Sequence, residues 1–293
     1  TISRKLNARQ AELEQDLEQL KSEKETRERE QSQARTDIDQ MTTQVQQMGE
    51  TAALRLSNSF EKAWPDIVRD VEASKKTWNT NQNPLFSPKK AAKDIADDAE
   101  KKLIGRVKIW SREDATPLLE EQLSQIINRI EQDLQRVAQY IERVQGLEAE
   151  DVTTQVIASA SADVFGSADV DVNFKDGLQA ALLAIISMIV GYIVADVVLF
   201  YFLSVVAGFL NPWIIAAGAV VGLGLLAFSG KKAVYSKIKN KIANQLEKKL
   251  TSRSMREDLR DGLRDRVEEL FKDFAGALER EAQSYVDEAQ HQF

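Results

Sequence analysis

"GLQAALLAIISMIVGYIVADVVLFYFLSVVAGFL" (Gly177–Leu210) runs directly into "NPWIIAAGAVVGLGLLAFSG" (Asn211–Gly230), and Asp196 is the one charge in both. Nineteen of the 33 residues from Leu178 to Leu210 are Leu, Ile, Val or Phe. At roughly −0.4 kcal/mol each on an insertion scale they favour a bilayer by about 8 kcal/mol, against about 3 kcal/mol for Asp196 near a helix centre. Insertion wins despite the acid. The second part, Trp213–Ser229, has eight such residues. It gains only about 3 kcal/mol and needs to pack on the first.

Small residues supply that packing. Ser187, Gly191 and Ala195 are spaced by four, as are Ser204 and Gly208, and Gly218 with Gly222 forms a GxxxG pair. Such spacing lets helices approach closely in lipid. Asn211-Pro212 marks a turn between the parts. The expected membrane-inserting residues are Leu183, Ile186, Ile193, Phe200, Phe202, Phe209, Trp213, Ile214, Leu225 and Phe228, with Gly191, Gly208, Gly218 and Gly222 in the packing seam. The competing reading is a hairpin sealed in the core of a large soluble bundle. An all-round apolar helix needs cover on every side, and the amphipathic helices around it offer only narrow stripes.

After Gly230 the chain turns basic. Lys231, Lys232, Lys237, Lys239 and Lys241 follow the apolar segment. They are expected at lipid headgroups on the cytoplasmic side, beside anionic lipid. The flanking helices carry matching apolar stripes, so both must lie on one side of the membrane. Two crossings, or a hairpin entering one leaflet, satisfy this.

Upstream, residues 2–54 hold a heptad frame. One core position repeats as Leu6, Leu13, Leu20, Arg27, Ala34, Met41 and Met48, and its partner as Gln10, Leu17, Lys24, Gln31, Ile38, Val45 and Ala52. This is a coiled-coil pattern with a polar centre. It predicts an arm about 75 Å long that self-associates. "TWNTNQNPLFSPKK" (Thr77–Lys90) breaks the helix, and Ser87-Pro88 reads as an N-cap followed by Pro at the first helical position. A helix over about 88–110 follows. Pro117 is expected to open the next one, whose stripe of Leu119, Leu123, Ile126, Ile130, Leu134, Val137, Ile141 and Val144 should pack on the first arm. A last amphipathic helix passes through Leu259, Leu263, Val267, Leu270, Phe274 and Leu278. The expected fold is all-α: an elongated helical bundle or coiled-coil stalk with a hydrophobic helical hairpin at its tip. The division is a stalk over 1–146, a connector over 147–176, the apolar hairpin over 177–230, and a basic exit with a returning helix over 231–293.

Composition narrows the chemistry. The 293 residues carry a net charge of −7, 29% are charged, and there are no cysteines and a single histidine, His291. Thiol chemistry, disulfides and thiolate metal sites are excluded. "GLLAFSGKK" (Gly224–Lys232) misses a phosphate loop, because its glycines are one residue too far apart and Lys232 stands where Ser or Thr belongs. Asp94, Asp97, Asp98 and Glu100 lack calcium-loop spacing. No Ser/His/Asp set is present, so no catalytic residue, metal or cofactor is expected in this chain. An acidic chain whose basic run lacks interleaved aromatics also argues against nucleic acid. The sequence starts at Thr1 within a helical pattern, which reads as a fragment of a longer protein.

The long arm containing "LNARQAELEQDLEQLKSEKETRERE", the two-part apolar insert, the basic exit and the return through "LRDRVEELFKDFAGALEREAQSYVDEAQ" together resemble the helical portion of bacterial dynamin-like proteins of the mitofusin-related branch. That resemblance implies that 177–230 is a membrane paddle and that the flanking helices form trunk and neck. It also implies an upstream GTPase domain, using GTP and magnesium, that drives self-assembly and the bending, fusion or division of membranes. None of the GTPase motifs occurs in this chain. Two other readings stay open: an α-helical pore-forming toxin, and a membrane-anchored coiled-coil scaffold.

Overall fold

A computed structural model describes residues 2–145, 148–166, 178–209 and 230–291, with the side chains at 2–8, 11, 145, 178, 206–209, 290 and 291 left aside. The protein is all-α. The helices are α1 (Ile2–Ala73), α2 (Pro88–Trp110), α3 (Thr116–Gln145), α4 (Ala149–Phe165), α5 (Leu178–Tyr192), α6 (Phe200–Phe209), α7 (Lys231–Leu250) and α8 (Arg253–His291). A 3₁₀ turn, Ser74–Thr77, ends α1. Seven residues in π geometry, Ile193–Leu199, join α5 to α6.

The helices form two compact units, and several helices contribute to both. One unit comprises 1–47, 126–185 and 272–293. Its core gathers Ile38, Met41 and Val45 of α1, Ile127, Ile130 and Leu134 of α3, Ile157 and Phe165 of α4, and Phe274, Leu278 and Val286 of α8. The predicted pairing of the α3 stripe with the first arm is present. Arg129 Nε donates to Gln44 Oε1 (2.7 Å) and to the buried Asp133 (2.9 Å), and Arg143 pairs with Glu30 (2.7 Å). The α8 segment is held by Arg35–Asp287, Arg280–Asp163 and the bond from Tyr285 to Gln155. The Phe165 and Phe274 rings meet at a tilt of 56°, with their centroids 5.6 Å apart.

Burial along the heptad frame starts at Ala34. Earlier in the frame Leu13, Leu17 and Leu20 are 58%, 54% and 65% exposed. Within 147–176, read from sequence as a connector, α4 is a regular helix. Its Val152, Val156, Ile157 and Ala160 are buried, as a packed helix requires.

The other unit comprises 48–125 and 186–271. α2 begins at Pro88, as Ser87-Pro88 predicts, although the Ser87 side chain makes no capping bond. Pro117 lies in the first turn of α3, as expected, but no break precedes that turn. α2 runs into α3 through a π turn, Ser111–Ala115. A proline inside a helix withholds one N–H and pushes on the carbonyl four residues back, and a widened turn relieves both. The Thr116 hydroxyl then donates to the Ser111 carbonyl (2.9 Å). Gly49 permits a close crossing of α1 and α8 in this unit, because a Cβ there would overlap Phe271.

Candidate functional site

Gln179–Val205 is a 27-residue helix long and apolar enough to cross a membrane, with 44% of its most apolar window buried. At 1.5 Å per residue it exceeds a hydrocarbon core of about 30 Å. In the second unit its small and polar residues face outward, and aromatic partners cover part of the other side. Phe202 is 4% exposed and meets Trp64 (centroids 5.8 Å apart) and Phe60 (6.1 Å), and Phe60 also meets Trp110 (5.0 Å). The Trp64 indole N–H donates to the Leu250 carbonyl (2.9 Å), tying the end of α7 to this cluster.

Immediately before Phe202 in the chain, Tyr201 locks the same helix to α8. Its hydroxyl donates to the Asp258 carbonyl (2.8 Å), and the Arg266 guanidinium lies 4.9 Å from the ring centroid. The ring occupies the space over Gly262, where any Cβ would overlap the Tyr201 hydroxyl. Sequence reasoning did not single out Tyr201 or Gly262. The available signal was a glycine inside a strong helical pattern, which costs about 1 kcal/mol relative to Ala and needs a packing reason.

The predicted inserting residues fall on both faces. Ile186, Ile193 and Phe202 are buried, at 7%, 0% and 4% exposure. Leu183 and Phe200 point outward, at 63% and 65%. In the second unit the outward positions are Ser187, Gly191, Ala195, Asp196, Phe200 and Ser204, so the stripe of small residues faces out. Among the described residues nothing lies within 4 Å of where a Cβ on Gly191 would sit. Trp213, Ile214, Gly218, Gly222, Leu225 and Phe228 lie outside the described residues, as do the surroundings of Gly208 and the side chain of Phe209.

The basic exit is the helix α7. Lys231, Lys232 and Lys237 are exposed, while Lys239 and Lys241 are half-buried. Lys239 Nζ donates to the Lys76 carbonyl (3.1 Å) and sits 4.5 Å over the Tyr235 ring. Burial pushes its amine below the usual lysine range, and Asp98 works in the opposite direction. Two of the five predicted headgroup lysines are therefore partly committed to the fold.

Comparison of the chain with protein-family models, curated proteins and solved structures returned no match. Among the described residues no group of three His, Cys, Asp or Glu is placed to hold a metal ion. An open groove of about 640 Å³ in the second unit is lined by Arg55, Lys62, Asp66, Asp114 and Glu121 among others. Two cations and three carboxylates leave no strong field there for a charged substrate. The distinctive chemistry on the described surface is apolar and cationic.

Proposed function

We propose that this chain is the membrane-binding, self-assembling helical region of a dynamin-like GTPase that bends, fuses or divides membranes from the cytoplasmic face. The observation that carries this reading is the 27-residue apolar helix with Leu183 and Phe200 facing outward, followed in the chain by the lysines of α7. The exposed Leu13, Leu17 and Leu20 support self-association through the first arm. GTP and magnesium belong to an upstream domain, since the residues of this chain offer no phosphate loop. The test is flotation with liposomes containing anionic lipid. Wild type is expected to float, and Leu183→Ser with Phe200→Ser to lose most of that binding while keeping its helical circular dichroism. Equal flotation of the two proteins would count against the anchor.

A second reading, the α-helical pore-forming toxin, is favoured by the burial of Ile186, Ile193 and Phe202. A toxin stores its inserting segment within the soluble fold. Release of a trapped dye from vesicles by this protein alone, without nucleotide, would select it over the first.

A further inference from the structure

The loop between α1 and α2 exposes two large apolar residues. Phe86 is 84% exposed and Leu85 42%. Hydrogen bonds to Asn83 shape this loop. Asn83 Oδ1 accepts from the Leu85 N–H (3.1 Å), and the Asn83 carbonyl accepts from the Phe86 and Ser87 N–H groups (3.1 and 2.8 Å). Pro84 is buried beneath them. Phe86 and Leu85 have little cover from the described residues.

Hydrogen bonds fix which end of the unit carries this turn. Lys239 of α7 bonds the Lys76 carbonyl, and Tyr235, one turn nearer the start of α7, bonds the Trp78 carbonyl (2.7 Å). On α2, Asp98 accepts from the Asn79 N–H (3.1 Å), and Asp94, one turn nearer the start of α2, accepts from the Thr80 hydroxyl (2.7 Å). From 76 to 80 the chain therefore climbs toward the N-termini of both helices. Leu85 and Phe86 come after that climb and lead into Pro88. They share one pole with Lys89 and Lys90 of α2 and with Lys231 and Lys232 of α7. All four lysines are exposed, and none has an ion-pair partner among the described residues. Gly230, which follows the apolar segment in the chain, lies at the same pole.

We propose that this pole is a second lipid contact, in which Phe86 and Leu85 enter the headgroup–acyl boundary while the four lysines engage anionic headgroups. Apolar side chains beside unpaired cations suit a negatively charged bilayer interface. A protein partner would have to match a tip of only two apolar residues. The fixed turn also means that little ordering is needed on contact. The inference rests on the reading that the apolar segment enters lipid, and it adds a contact outside that segment.

The chain contains no cysteine, so Phe86→Cys carries a single environment-sensitive fluorophore. The labelled full chain is mixed with vesicles of phosphatidylcholine alone, or with phosphatidylglycerol added, each with and without nitroxide-bearing lipid. Flotation of the same samples reports the apolar segment independently. The expected result is a blue shift and nitroxide quenching on the anionic vesicles. Lys89→Glu with Lys90→Glu should weaken that response by about tenfold or more. If the chain floats while the label stays unchanged, the loop contact is wrong and the anchor stands. Without flotation on any vesicle, both ideas fail. A blue shift that grows with protein concentration in the absence of lipid would assign the tip to a second copy of the chain and overturn the proposal.

Discussion

Gly262 is a residue whose side chain is defined by what it leaves out. Tyr201 fills the space above it and reaches the Asp258 carbonyl, with Arg266 over the ring. Gly262→Val should displace that ring and cost about 1–3 kcal/mol, as overpacking of a close contact does. Thermal unfolding would read this as a lower Tm. Displacing Tyr201 also loosens α6, so the variant is expected to bind a hydrophobic dye such as ANS and to associate with vesicles more readily than wild type. A Tm equal to wild type would mean that the contact carries no weight. Glycine is costly in a helix, so its presence hinted at a close approach. The identity of the partner could not be read, because Tyr201 and Gly262 lie far apart in sequence and only the fold brings them together.

At the scale of elements, legibility followed the periodicity of the sequence. Helix α2 starts where Ser87-Pro88 places it, and the α3 stripe meets α1 in the first unit. A strong repeat of apolar residues at steps of three and four dictates a face, and that face must be covered. Pro117 falls in the first turn of α3, as expected, but α2 continues into that turn through a π segment rather than a break. The apolar segment was legible as a helix, and its small and polar residues Ser187, Gly191, Ala195, Asp196 and Ser204 mark the outward side in the second unit. The partners of its covered side, Phe60 and Trp64 of α1 against Phe202, were not legible. The heptad frame was legible throughout but is only partly covered, with burial starting at Ala34 and Leu13, Leu17 and Leu20 left in water. Those three leucines are the expected seam of a self-assembled arm. Replacing all three with Glu should lower the apparent mass in light scattering at high protein concentration and leave the circular dichroism of the remaining helices nearly intact. An unchanged mass would remove the arm from the assembly.

For the whole molecule, the chain order of the two units matters. Each is built from segments distant in sequence, and both need α8: the second unit uses residues up to 271, and the first uses 272–293. A chain truncated after Ser252 lacks Asp258 and Gly262, which clasp Tyr201, as well as Phe274 and Leu278 in the first core. It is expected to lose its cooperative thermal transition and to bind ANS strongly. Retention of a sharp transition would show that α8 is dispensable. The candidate lipid pole, by contrast, is assembled from the connection between α1 and α2, from α2 and from α7, and does not draw on α8 for its hydrogen bonds.

The clasp on Tyr201 also has a consequence in time. A ribosome that has just made Tyr201 must add 61 more residues before Gly262 exists. At about 5–20 residues per second that takes roughly 3–12 s. During that interval the nascent apolar helix has emerged, or is emerging, without its lock. The apolar helix is therefore synthesised well before the contact that clasps it, and Tyr201 can be locked to α8 only late in synthesis.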